Sequence, residues 1–257
     1  MAWNGIRWVA VGSGTNTIAY SADGITWLPA TNTFTTGSGV GWNGIKWVAV
    51  GAGPNSILHS TDGITWTAAA TNPFSTSGYG VAWSGIQWVA VGQGGNTIVY
   101  STDGSTWSTA SITGAFATAG LGIAWNGIRW VAVGAGASSI IYSQNGIQWT
   151  AATNAFSTQG RGVAWNGTRW VAVGLGANSI AYSADGITWY GLANSSSTFL
   201  TQGSGVASNP LIGATVVDSQ LILTNLGYGL SSNFDVLADR YYNPGYTNFS
   251  LDCRYAT

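Results

Sequence analysis

The sequence predicts an all-β fold assembled from repeated four-stranded antiparallel sheets, and three observations carry that prediction. One unit recurs five times. All 15 tryptophans fall in fixed slots of that unit, three per copy. Charged residues make up only 6% of the 257-residue chain, against roughly a quarter in ordinary soluble domains. Too few Glu, Lys and Arg remain to solvate helices, so a helical solenoid is excluded.

The unit opens with the phrase Ala2-Trp3-Asn4-Gly5-Ile6-Arg7-Trp8, which returns at Trp42, Trp83, Trp125 and Trp165. A second phrase runs from Tyr20 to Trp27 and recurs ending at Trp66, Trp107, Trp149 and Trp189. The second and third tryptophans of every copy are 19 residues apart (Trp8 to Trp27, Trp47 to Trp66), so length varies only in the connector that follows. Within a copy, Val40-Gly41-Trp42 and Ile45–Val50 read as two strands joined at Asn43-Gly44, because Asn-Gly suits positive φ in a two-residue hairpin turn. Gly51-Ala52-Gly53-Pro54-Asn55 breaks the run. Ser56–His59 resumes it, and Asp62-Gly63 turns the chain into a fourth strand at Ile64-Thr65-Trp66. Four short strands in about 40 residues match the blade of a β-propeller. A lone blade cannot bury both faces, so copies must stack; a β-prism is the alternative architecture.

Residues 1–202 form the five repeats. Over 203–257 the pattern decays: Gly203–Asn209 echoes Gly37–Asn43, and strand-like runs follow at Ile212–Val217, Gln220–Thr224, Phe234–Leu237 and Asn248–Tyr255. The expectation is a divergent sixth blade. The alternative is a five-bladed ring with a C-terminal β-module.

The phrase Ser21-Ala22-Asp23-Gly24-Ile25-Thr26-Trp27 resembles the Asp-box of sialidase-like propellers, one residue shorter between Asp and Gly. The resemblance implies that Asp23, Asp62, Asp103 and Asp185, with Asn145 in the fourth copy, serve structural turns between third and fourth strands, away from any active site. The recurring Trp-Asn-Gly phrase also resembles repeat proteins of giant DNA viruses, which carries no activity.

Composition excludes much of biochemistry. The net charge is -1, so no basic surface exists for nucleic acid. Single Cys253 and His59 leave no metal site or disulfide framework, and no cofactor is expected. His59 occupies a slot held elsewhere by Tyr20, Tyr100, Tyr142 and Tyr182, so a packing role is expected of it. The chain contains no Glu, and its repeats hold no acid outside the Asp-Gly turns, so paired acid–base catalysis is not supported and no enzyme is expected. Gly-x-Gly pairs such as Gly51/Gly53 lead into strands and lack a phosphate-loop lysine. Met1–Gly5 lacks the start of a secretory signal, and no apolar run of about 18 residues occurs. The expectation is a soluble cytoplasmic or virion protein without membrane insertion.

Hairpin connectivity sends the Asn-Gly and Asp-Gly turns to one face, and the Gly-x-Gly-x-Asn loops and connectors to the other. The variable connectors mark the second face as the binding side. Its connectors carry one charge, Arg161. Arg7, Lys46, Arg129 and Arg169 share one slot on the first face, with Gln87 in the third copy, and are expected to pair with neighbouring turns. Two functions follow from different classes. One is a non-enzymatic structural or interaction propeller with a protein partner or self-association. The other is a multivalent glycan binder using Asn16, Asn55, Asn96, Ser138 and Asn178, whose amides and hydroxyl suit sugar hydroxyls.

Overall fold

The computed structural model describes residues 1–31, 34–113, 116, 118–153, 155–192, 195 and 203–206, with the backbone of 213–217 and 220–224. Each of the five repeats folds into a four-stranded antiparallel sheet in sequence order. The second copy is representative: Thr36–Trp42, Trp47–Ala52, Ile57–Ser60 and Thr67–Ala68, with Trp42 opposite Trp47, Val48 opposite His59, and His59 opposite Thr67. The fold class read from the sequence is the observed one.

The first hairpin differs from expectation by one residue. The central pair of its turn is Gly44-Ile45, not Asn43-Gly44: Gly44 takes φ of 96°, and Asn43 stands before the turn, its Oδ1 accepting from the N–H groups of Ile45 (2.9 Å) and Lys46 (2.6 Å). The asparagine side chain thus satisfies the donors that a tight turn leaves unpaired. Ile45 is moved from the start of a strand to the tip of the hairpin.

Successive sheets stack face to face, and the core lies between them. Val9, Ile18 and Phe34 pack on Trp47, Ala49, Leu58 and Trp66 of the next repeat, and the same layers recur through Val131, Val133, Ile140 and Phe156 against Trp170, Ala172 and Trp189. Trp47, Trp88, Trp130 and Trp170 are 0–1% exposed. The first tryptophan of each copy is only half-buried, stacked on the second with ring centroids 4.9 to 5.3 Å apart, and Trp3 is 40% exposed. First strands of neighbouring sheets lie side by side about a common axis. They approach so closely that a Cβ on Gly122 would stand 2.9 Å from the Arg161 carbonyl and 3.2 Å from Gly162 Cα.

The connectors are not free loops on one face. The first four begin by pairing with the outer edge of the following sheet: Thr31 N–H donates to Ile64 O (2.9 Å), Ala70 to Ser105 (2.9 Å), Ser111 to Ile147 (2.7 Å) and Thr153 to Ile187 (3.0 Å). In one copy this becomes a fifth strand, Ser111–Thr113, parallel to Gln148–Ala151. An outermost strand has an unpaired row of backbone groups, and the connector occupies it. Further along, Phe34, Phe74, Phe116 and Phe156 are buried between neighbouring sheets.

Beyond the fifth sheet, Gly203 repeats the seating of earlier first strands. Its N–H donates to Gly174 O at 3.1 Å, as Gly37 donates to Gly12 O at 2.7 Å. A Cβ on Gly162 would meet Gly205 Cα at 3.2 Å, the same Gly-on-Gly approach found between Gly122 and Gly162. Gly213–Val217 and Gln220–Thr224 pair as an antiparallel hairpin. The expected strands at 234–237 and 248–255, and with them the choice between a sixth blade and a separate module, lie outside the described residues.

Candidate functional site

The turns between third and fourth strands are built around a side-chain carboxylate. In the third repeat Asp103 Oδ1 accepts from the N–H groups of Ser105 and Thr106, both at 2.7 Å, and Ser101 Oγ donates to it at 2.9 Å. Asp23, Asp62 and Asp185 are held alike, and Asn145 Oδ1 takes the same role in the fourth repeat. The backbone N–H of Thr26, then that of Ile25, holds the Asp23 carboxyl at a pKa of about 2. For Asp103, burial pushes upward, but the N–H groups of Thr106 and Ser105, the Ser101 hydroxyl and Lys46 outweigh it and leave it at about 2. These acids are spent on turns and are fully ionised at neutral pH.

The sign of their pH dependence follows directly. Depressed carboxylate pKa values contribute stability that is complete above the ordinary value of 3.8 and is lost as the pH falls toward about 2. We expect the melting temperature to hold near pH 5 and to fall steeply between pH 4 and pH 2. Asp103→Asn, which installs the residue found naturally at Asn145, should make that fall shallower in a calorimetric pH series.

The shared cation slot reaches across the interface between sheets. Arg7 Nη1 donates to Asp62 O, Lys46 Nζ to Asp103 O (2.8 Å), Gln87 Nε2 to Asn145 O (3.1 Å) and Arg129 Nη1 to Asp185 O. The one neutral donor, Gln87, faces the one turn whose acid is replaced by an amide. At the Asp103 turn the donor is a cation, and the attraction of Lys46 helps keep that carboxylate ionised. The two odd positions of the sequence are therefore a single feature, 58 residues apart in the chain. Three of these cations also lie over a neighbouring tyrosine ring, Arg7 over Tyr20 at 5.2 Å, Arg129 over Tyr142 at 5.4 Å and Arg169 over Tyr182 at 5.3 Å. Half-buried His59 fills that tyrosine slot beside Lys46, and burial, then Lys46, holds its imidazole below the ordinary value.

On this turn face the hairpin tips present Ile6, Ile45, Ile86 and Ile128, which are 76%, 76%, 81% and 75% exposed. Between the fourth and fifth sheets lies a groove of about 340 Å³, lined by Ile128, Arg129, the half-buried Trp165, Gly167 and Asp185. The residues that line it have counterparts at the other sheet junctions, among them Ile45, Lys46, Trp83, Gly85 and Asp103 at the second. Sequence reading passed over the isoleucines by placing them in strands. The available signal was an aliphatic residue directly after an Asn-Gly pair, a position that turn chemistry fills with polar residues.

The five glycan candidates stand one per sheet on the opposite face. Asn96 Nδ2 donates to Pro73 O (2.8 Å) while its Oδ1 accepts from Thr109 Oγ1 (3.0 Å), and Asn178 Nδ2 donates to Ala155 O (3.1 Å). These two amides tie loops to connectors. Asn16 is exposed, Asn55 is half-buried, and Ser138 is buried and hydrogen-bonded or otherwise engaged.

No protein-family model and no curated protein matches the chain. Solved structures do. A computationally designed protein, Ika8, superposes with a TM-score of 0.54 at 9% identity, over 72% of this chain and 57% of that one. YCF48 bound to D1 peptide gives 0.51 at 20% identity, over 71% and 61%. YCF48 from Cyanidioschyzon merolae gives 0.47 at 18%, over 62% and 56%. The chain thus spans about three fifths of the length of the structures it matches. At these identities the likeness concerns fold alone.

Proposed function

We propose that this β-propeller repeat chain is a non-enzymatic interaction protein that docks a protein partner on its turn face. One observation carries the reading: the same large aliphatic residue is held at 75–81% exposure on four successive hairpin tips. An exposed apolar residue that recurs at the same place on successive sheets, rather than scattered singly, supports a partner site. Two further points support it. The repeat aspartates are committed to backbone donors, so none is free to act as a general acid. A similar fold is recorded in YCF48 bound to a peptide. In its finer form the proposal makes the Ser-x-Asp-Gly turns shortened, purely structural Asp-boxes and places the protein in a viral particle, on the strength of the Trp-Asn-Gly resemblance.

The test is affinity capture from the native source with the full chain and with Ile45→Asp/Ile86→Asp/Ile128→Asp. These side chains are exposed, so the triple variant should unfold within a few degrees of wild type while losing its specific partner. Mass spectrometry of purified particles checks the location. Robust signals on a dense glycan array, abolished by Asn55→Ala, would replace this reading with the lectin one.

A further inference from the structure

The repeats carry chemically different side chains at one structural position. Between the paired glycines of each first strand stand Ser38, Tyr79, Leu121 and Arg161, with Ser204 in the same slot between Gly203 and Gly205. Every one of the four described ladders skips a register there: Gly37 and Gly39 pair with consecutive residues Gly51 and Val50, and the same holds at Gly78/Gly80, Gly120/Gly122 and Gly160/Gly162. The intervening residue is a β-bulge, and bulges re-aim side chains. The flanking glycines show where it does not point. Gly160 lies against Val133 of the preceding sheet, and Gly162 against Gly205 that follows. The bulged residue of each sheet lies on the first strand, and the first strands of neighbouring sheets run side by side.

We propose that these bulge positions form a ligand site at the axis, at the end away from the isoleucine tips, where Arg161 binds a carboxylate carried by a peptide. Arg161 is half-buried, and the Gln159 carboxamide, oxygen toward the guanidinium, accepts from Nη2 at 2.7 Å and Nε at 2.9 Å. A neutral group therefore holds the fork, and among the described residues no carboxylate stands beside it: the four aspartates of the described repeats sit in turns at the other end of the blades. A positioned guanidinium with remaining donors matches a carboxylate in geometry and charge. The surroundings decide what carries that carboxylate. Half-buried Leu121 stands in the slot between Tyr79 and Arg161, Leu175 pairs with Gln159, and the Tyr79 hydroxyl donates to Gln93 Oε1 at 2.9 Å. Two leucines and an aromatic ring favour apolar peptide side chains over the hydroxyls of a sugar.

The probe is a synthetic octapeptide array with free carboxyl ends, beside a copy amidated at the C-terminus with Asp and Glu replaced by Asn and Gln. The full-length protein should bind members of the first array and lose about tenfold or more in affinity on the second, the range of a charge-assisted hydrogen bond. Arg161→Gln should reproduce that loss, Gln159→Ala should give a smaller one, and Arg169→Gln should leave affinity unchanged. Absence of carboxylate-dependent binding, indifference to Arg161→Gln, or preference for glucuronate-bearing oligosaccharides over every peptide would overturn the assignment. If Arg161→Gln does not fold, amidation and Gln159→Ala still decide. The site is independent of the turn face, so the triple isoleucine variant should retain this binding whether or not the proposed partner exists.

Discussion

Replacing Trp130 by alanine is expected to lower the unfolding free energy by about 3–5 kcal/mol, the range for deleting a large buried ring. Trp130 is 1% exposed and sits among Val89, Val91, Ile98 and Ile141, so the cavity would open between the third and fourth sheets with no mobile side chain to fill it. Equilibrium denaturation in urea should show the midpoint move with little change in slope. Trp8 is the control. It holds the same slot in the first sheet, yet is only half-buried among the described residues. If 203–257 closes a ring over the first sheet, Trp8→Ala should cost nearly as much as Trp130→Ala. If the first sheet faces solvent, the loss should be well under half.

Cutting the chain after Gln202 is expected to abolish a single cooperative melting transition and to produce concentration-dependent light scattering. The cut removes Gly203, whose backbone covers the Val173 side chain, and Gly205, which lies on Gly162. It would leave the fifth sheet with an apolar face in which Ile180 is already partly exposed, whereas its counterparts Ile57, Ile98 and Ile140 are 0–1% exposed. Open apolar faces and unpaired strand edges associate. A truncated chain that stays monomeric and melts in one step would instead make residues 203–257 a separate module.

Much of this molecule was legible before any coordinates. Strict spacing of three tryptophans placed the first three strands and set the fourth at Ile64–Trp66, just before its observed Thr67–Ala68, while Asp-Gly and Asn-Gly pairs marked the turns, because each of these signals acts within a few residues. Bulky residues on both strand faces, together with the need for copies to stack, are matched by the continuous buried run Trp47–Val50. The same local logic misplaced Ile45. A one-residue shift of the turn centre depends on whether the Asn43 carboxamide or its backbone carbonyl takes the Lys46 N–H, and both choices suit the same tetrapeptide. The connectors were legible as variable but not as edge strands, since their partners belong to the following repeat.

What the sequence determined by itself, then, is the repeat, its four strands and the layer of tryptophans, because periodicity dictates which side chains share a face. Tertiary structure alone decided which faces meet. Only stacking brings Gln87 to Asn145, Thr31 to Ile64, and Gly122 against the Arg161 carbonyl. These are contacts between copies that look alike in one dimension, and the geometry of packing sheets around a centre is what gives each copy a distinct neighbour.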